Sequence, residues 1–150
     1  MTRNPNSKPP RRTRRLHAIR GATTVPHDQG DELLAATREL LLAIIDRNRL
    51  VADDVVSAIF TLTPDLTSEF PALAARELGW TGTALLCTME IPVPGALQRT
   101  VRVLIHVEFD EPRETVEHVY LRDAVVLRPD LATRAGGGGS HPHHRQPPDA

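Results

Sequence analysis

The chain is 150 residues long, enough for one domain and too short for two comfortable ones. Hydrophobic residues make up 40% of it but aromatics only 3%, so its core is expected to be built from Leu, Val, Ile and Ala, and such a subunit gains from burying further surface against copies of itself. The net charge of -1 excludes a chain devoted as a whole to nucleic acid or anionic membrane, while the single cysteine, Cys87, excludes an intrachain disulfide framework and fits a reducing, cytoplasmic setting.

Residues 1–15 combine Arg3, Lys8, Arg11, Arg12, Arg14 and Arg15 with Pro5, Pro9 and Pro10 and have no apolar residue beyond Met1, which predicts a disordered basic arm. No apolar h-region follows it as a secretory signal requires, and no apolar run in the chain reaches a membrane span. Leu16 to Val25 then reads as a first strand that bends at Gly21. Asp28 is expected to cap a helix in which Leu33, Leu34, Leu40, Leu41, Ile44 and Ile45 recur at helical spacing up to about Asn48. Val55 to Thr63, stopped by Pro64, predicts a second strand. A short helix is expected from Pro71, with Gly79 ending it. Three further strand-like runs follow at Thr83–Ile91, Thr100–Phe109 and Val116–Tyr120, the last continuing into Ala124–Leu127. Residues 135–150, with a glycine run and His141, His143 and His144, read as a second low-complexity tail too unstructured to fix metal geometry. The pattern is an α+β or mixed α/β domain over residues 16–134, a mixed sheet with one long and one short helix.

No phosphate loop, His-Glu-x-x-His pattern or Cys-x-x-Cys pair is present, so nucleotide, zinc and dithiol chemistry have no support in the sequence. The informative feature is arginine within strands. Arg20, Arg102 and Arg128 each lie beside β-branched or aliphatic neighbours, where a guanidinium is costly to bury unless an anion compensates it. The plain alternative for each is a strand-end side chain reaching solvent or pairing with an acid such as Glu90.

Several stretches, in order, are similar to the trimeric, barrel-type chorismate mutases: Ile19-Arg20-Gly21-Ala22-Thr23-Thr24-Val25, Thr63-Pro64-Asp65-Leu66, Phe70-Pro71-Ala72, Ala75-Arg76-Glu77-Leu78, Cys87-Thr88-Met89-Glu90, Arg102-Val103, His118-Val119-Tyr120-Leu121 and Val125-Val126-Leu127-Arg128-Pro129-Asp130-Leu131. Each is short, but together they span Leu16 to Leu131 colinearly. The resemblance implies a homotrimer forming a pseudo-α/β barrel, with active sites at subunit clefts. It also implies a cofactor-independent Claisen rearrangement of chorismate to prephenate in phenylalanine and tyrosine biosynthesis. By the same resemblance Arg102 lies against the ether oxygen, Arg20 and Tyr120 hold carboxylates, and Glu90, assisted by Cys87, accepts a hydrogen bond from the substrate hydroxyl. Phe70, Ala72 and Arg76 are expected from a neighbouring subunit, and Leu127 and Arg128 from the wall near the C-terminal end. Leu73 stands where some members carry a basic residue, and the Leu78-Gly79-Trp80 loop is one residue shorter. A non-catalytic trimeric binding module and an imine-hydrolysing trimer of the Rid type are the competing readings; the second explains neither Glu90 nor the Arg20 segment.

Overall fold

The computed structural model describes residues 14–132, so the C-terminal tail and all of the basic arm but Arg14 and Arg15 lie outside the described residues. Those two belong to the folded unit: Arg15 opens the first strand, and the Arg14 guanidinium is 3.1 Å from Asp110.

Five strands form one mixed sheet: β1 (Arg15–Thr24), β2 (Val55–Leu62), β3 (Ala84–Met89), β4 (Thr100–Phe109) and β5 (Val119–Tyr120), in the order β3-β2-β4-β1-β5. β4 runs antiparallel to both β1 and β2, whereas β3 lies parallel to β2 and β5 parallel to β1. The helices are α1 (Gly30–Asn48), α2 (Ala72–Glu77) and α3 (Pro129–Ala132).

Strict alternation along β4 gives the sheet two unlike faces: Val101, Val103, Ile105, Val107 and Phe109 are buried, while Arg102, Leu104, His106 and Glu108 point the other way. The buried face meets the helix stripe Leu33, Ala36, Leu40, Leu41 and Ile44, which recurs at the spacing that keeps apolar residues on one side of a helix. Gly21 permits this contact. A Cβ there would stand 2.7 Å from Ile44 Cδ1 and 3.2 Å from both Leu40 Cδ1 and Val103 Cγ1. The β1–β4 register passes Gly21 unbroken from Arg15↔Phe109 to Thr24↔Thr100, so the glycine admits the helix rather than interrupting the strand.

Among the described residues no helix covers the opposite face. Leu16 is 61% and Leu86 59% exposed there, beside half-buried Ile59 and Leu104.

Two expectations are corrected. Asp28 does not cap α1, whose cap position is Gln29 without a side-chain bond. The Asp28 carboxylate instead accepts hydrogen bonds from the Thr67 and Ser68 amides and the Thr67 hydroxyl, tying the approach to α1 to the loop before α2. The expected continuation of the last strand through Ala124–Leu127 is a 3₁₀ turn over Arg122–Leu127. Arg122 takes the left-handed conformation at φ 52°, and its guanidinium bonds to the Thr24 carbonyl and the Glu39 carboxylate, turning the chain away from the sheet directly after Tyr120.

Candidate active site

Strand register decides which side chains meet. One row crosses the whole sheet through Tyr120, Ala22, Arg102, Thr61 and Thr88 on β5, β1, β4, β2 and β3, and it belongs to the helix-free face. The next row, Val119, Gly21, Val103, Phe60 and Cys87, belongs to the helix face. Arg20, opposite Leu104, returns to the helix-free face diagonally beside Arg102. The one-methyl side chain of Ala22 leaves room between Tyr120 and Arg102.

These residues surround a cavity of about 250 Å³ lined by Arg20, Gly21, Ile59, Thr61, Glu90, Arg102, Val103, Leu104 and Tyr120. Glu90 follows β3 and is held by its amide, which donates to the Leu62 carbonyl at 2.8 Å. Its carboxylate accepts the Thr61 hydroxyl and lies 3.3 Å from Arg102 Nε. The Arg102 side chain is 45% exposed and Glu90 24%, so the pair is open to exchange partners with a ligand. The cavity therefore offers two guanidinium groups and a phenol for anions, a carboxylate for a hydroxyl, and an aliphatic floor.

A second layer fixes the β5 end. Asn48, buried at the last turn of α1, donates from Nδ2 to the Glu117 carbonyl at 2.9 Å and accepts the Glu117 amide at 2.7 Å. His118 Nδ1 accepts the Arg20 amide at 3.0 Å. Burial, helped by the nearby charges of Arg20 and Arg128, holds the His118 imidazole below its ordinary value of 6.5. Arg128 is paired to Asp130 through Nε and Nη2 at 3.0 and 2.9 Å, and that hydrogen bonding, aided by the charge of Asp130 and by Tyr120, pushes its pKa up further.

Of the residues predicted from sequence, Arg20, Glu90, Arg102 and Tyr120 come together in this cavity, with Arg128 at its Tyr120 end. Leu127 is half-buried at the close of the 3₁₀ turn. Cys87 does not stand beside Glu90 within one chain: it pairs with Phe60 and packs against the helix-side core. It lies at the β3 edge of the sheet, in the neighbourhood of α2, where Ala72 is buried, Arg76 exposed and the preceding Phe70 69% exposed. The predicted set thus falls into two groups, one around the cavity and one at the opposite edge. Thr61 is a site residue that the sequence did not announce. A threonine in a β-branched strand run carries no distinguishing pattern, and only its register with Arg102 could have revealed it. Among the described residues no group of three or more His, Cys, Asp and Glu gathers as metal donors.

The sequence profile of the family described as chorismate mutase type I matches residues 16–131. The chain is 49% identical to the chorismate mutase AroH of Thermus thermophilus over 117 residues, covering 77% of this chain and 96% of that protein. It is 45% identical to the chorismate mutase AroH of Bacillus subtilis (strain 168) over 118 residues, 78% of this chain and 93% of that protein. A solved chorismate mutase from Clostridium thermocellum superposes with a TM-score of 0.71 at 50% identity, covering 73% of this chain and 98% of that one. Sequence and fold agree, and the chain belongs to the chorismate mutase type I family.

Proposed function

We propose that the protein is a chorismate mutase, an isomerase that rearranges chorismate to prephenate within the cavity bounded by Arg20, Glu90, Arg102 and Tyr120, in the biosynthesis of phenylalanine and tyrosine. The observation that carries the site assignment is the convergence of those four side chains on one sheet face through strand register.

The chemistry asks little of the protein in bond-making terms. One C–O bond breaks and one C–C bond forms within a single molecule, so no nucleophile, proton transfer or external electron carrier enters. The barrier falls if the flexible dicarboxylate is held in its compact chair-like conformer, and if positive charge stands where negative charge develops on the ether oxygen. Arg20 and Tyr120 bind carboxylates and select the conformer; a guanidinium fork suits that task better than an ammonium. Glu90, oriented by the Thr61 hydroxyl, accepts the substrate hydroxyl. Arg102 faces the ether oxygen. Its ion pair with Glu90 keeps the guanidinium in place before substrate arrives, so little reorganisation is needed in the transition state.

The active unit is a homotrimer. The helix-free sheet face leaves Leu16 and Leu86 exposed, and the β3 edge adds Phe70, Met89 and Ile91, surface that a second and third copy would cover. Packing edge to cavity would bring Cys87, Phe70, Ala72 and Arg76 of one subunit towards the Arg20–Arg102 cavity of the next, with Leu127 and Arg128 completing the wall. The single thiol of Cys87 supports a cytoplasmic location. Purified full-length protein incubated with chorismate, with substrate loss and prephenate formation followed together, tests this reading. Failure to convert chorismate would refute it.

A further inference from the structure

β5 contributes only Val119 and Tyr120 to the sheet, yet Tyr120 must be held at a fixed place for substrate binding. Backbone pairing is too short for that. The Leu121 amide bonds to the Ala22 carbonyl at 2.9 Å, and on the N-terminal side the ladder is extended by side chains: Asn48 grips both polar groups of the Glu117 backbone, and His118 accepts the Arg20 amide. An amide N–H can only donate, so His118 Nδ1 must be the unprotonated nitrogen and the ring proton must sit on Nε2.

We propose that His118 is a positioning residue for the mutase reaction: its neutral imidazole, by accepting the Arg20 amide, locks β5 to β1 so that Arg20 and Tyr120 face the substrate carboxylates together, and its protonation releases that lock and weakens substrate binding. This rests on the mutase reading of the cavity. Protonation replaces the Nδ1 acceptor with a donor aimed at another donor. It also adds positive charge between the two cations that face the ring, Arg20 on β1 and Arg128 beyond the 3₁₀ turn; the α1 group packed nearby, Asn48, is neutral and occupied by Glu117. Arg102 lies on β4 and Glu90 just after β3, away from β5, and they keep their own contacts, so the chemical step is spared.

The test is steady-state kinetics of the full chain against pH, on the wild type, His118→Asn and His118→Leu. Asparagine keeps an acceptor near the Nδ1 position and does not titrate; leucine has none. For the wild type we expect the Michaelis constant to rise roughly five- to tenfold as pH falls from neutrality through the lowered His118 pKa, the size set by one lost hydrogen bond, with turnover number nearly constant. His118→Asn should restore tight binding and flatten that acid limb, while His118→Leu should show the raised Michaelis constant at every pH. An acid limb unchanged in His118→Asn, or a His118→Leu variant that binds chorismate as the wild type does, would overturn the proposal. Imidazole ¹⁵N chemical shifts read the hydrogen bond without activity: at neutral pH Nδ1 of His118 should be unprotonated, and a protonated Nδ1 contradicts the lock. A wild type that converts no chorismate would instead defeat the mutase reading, so the two failures are told apart.

Discussion

At the level of single residues, Arg102 and Arg20 are both guanidinium groups on one sheet face, yet their tasks differ. In the proposed mechanism Arg102 meets charge that appears only in the transition state, whereas Arg20 holds a carboxylate already charged in the bound substrate. Arg20→Lys should therefore raise the Michaelis constant for chorismate by about tenfold with a smaller change in turnover number, because the ammonium keeps the charge and loses the fork. Thr61→Val removes the hydroxyl that orients Glu90 while keeping the β-branched shape, and should lower kcat/KM by roughly five- to tenfold, about 1 kcal/mol, with an unchanged melting temperature. Kinetics on folded variants check both; a Thr61→Val enzyme equal to wild type would leave Glu90 oriented by Arg102 alone. Arg20 and Arg102 stood out in the sequence because charged groups amid aliphatic strand residues are conspicuous, whereas Glu90 and Tyr120 were singled out as site residues only through the resemblance of their stretches to one family. His118 was not, since its value depends on an amide 98 positions away in the chain.

At the level of elements, the fit of α1 on the sheet depends on the missing side chain at Gly21. Gly21→Ala should cost on the order of 1 kcal/mol, towards the low end for overpacking because the atoms in the way are the ends of Ile44 and Leu40; a lowered melting temperature checks it. Asp28 acts on the loop between β2 and α2. Hydrogen bonds, that from Ser68 foremost, hold its carboxyl below the usual 3.8, so its stabilisation is complete above about that pH and disappears as pH falls through the lowered value. Acid unfolding of Asp28→Asn should accordingly lose part of its pH dependence below 3.8, and an unchanged acid limb would contradict this. Helix α1 and strand β4 were readable because their apolar periods of 3.6 and 2 are long and clean, and β2 because its apolar, β-branched run is stopped by Pro64. The 3₁₀ turn at Arg122–Leu127 was not. Val125, Val126 and Leu127 are good strand formers, and what overrides them is a tertiary bond from Arg122 to Thr24, far away in sequence.

At the level of the whole molecule, one sheet face is sealed by α1 and the other, which sets exposed Leu16 and Leu86 beside the polar cavity, carries no helix among the described residues, while the predicted site residues divide between the cavity and the β3 edge. A trimer accounts for both features. We expect a trimer mass in solution, and Leu86→Glu, which puts a charge on the uncovered face, should shift it towards monomer and lower activity together; a fully active monomer would contradict a shared site. The aromatic-poor composition points the same way, but which edge would meet which cavity depends on strand order, which composition does not encode. The most direct test of the catalytic claim is the turnover number for chorismate to prephenate in a variant with citrulline at position 102, which keeps the shape of the side chain and removes its charge. If Arg102 stabilises the developing negative charge on the ether oxygen, turnover should fall by at least ~10²-fold, roughly 3 kcal/mol of barrier, while the Michaelis constant changes little and trimer mass is retained. A citrulline variant with near-native turnover and only a raised Michaelis constant would make Arg102 a binding residue and contradict electrostatic catalysis at this site.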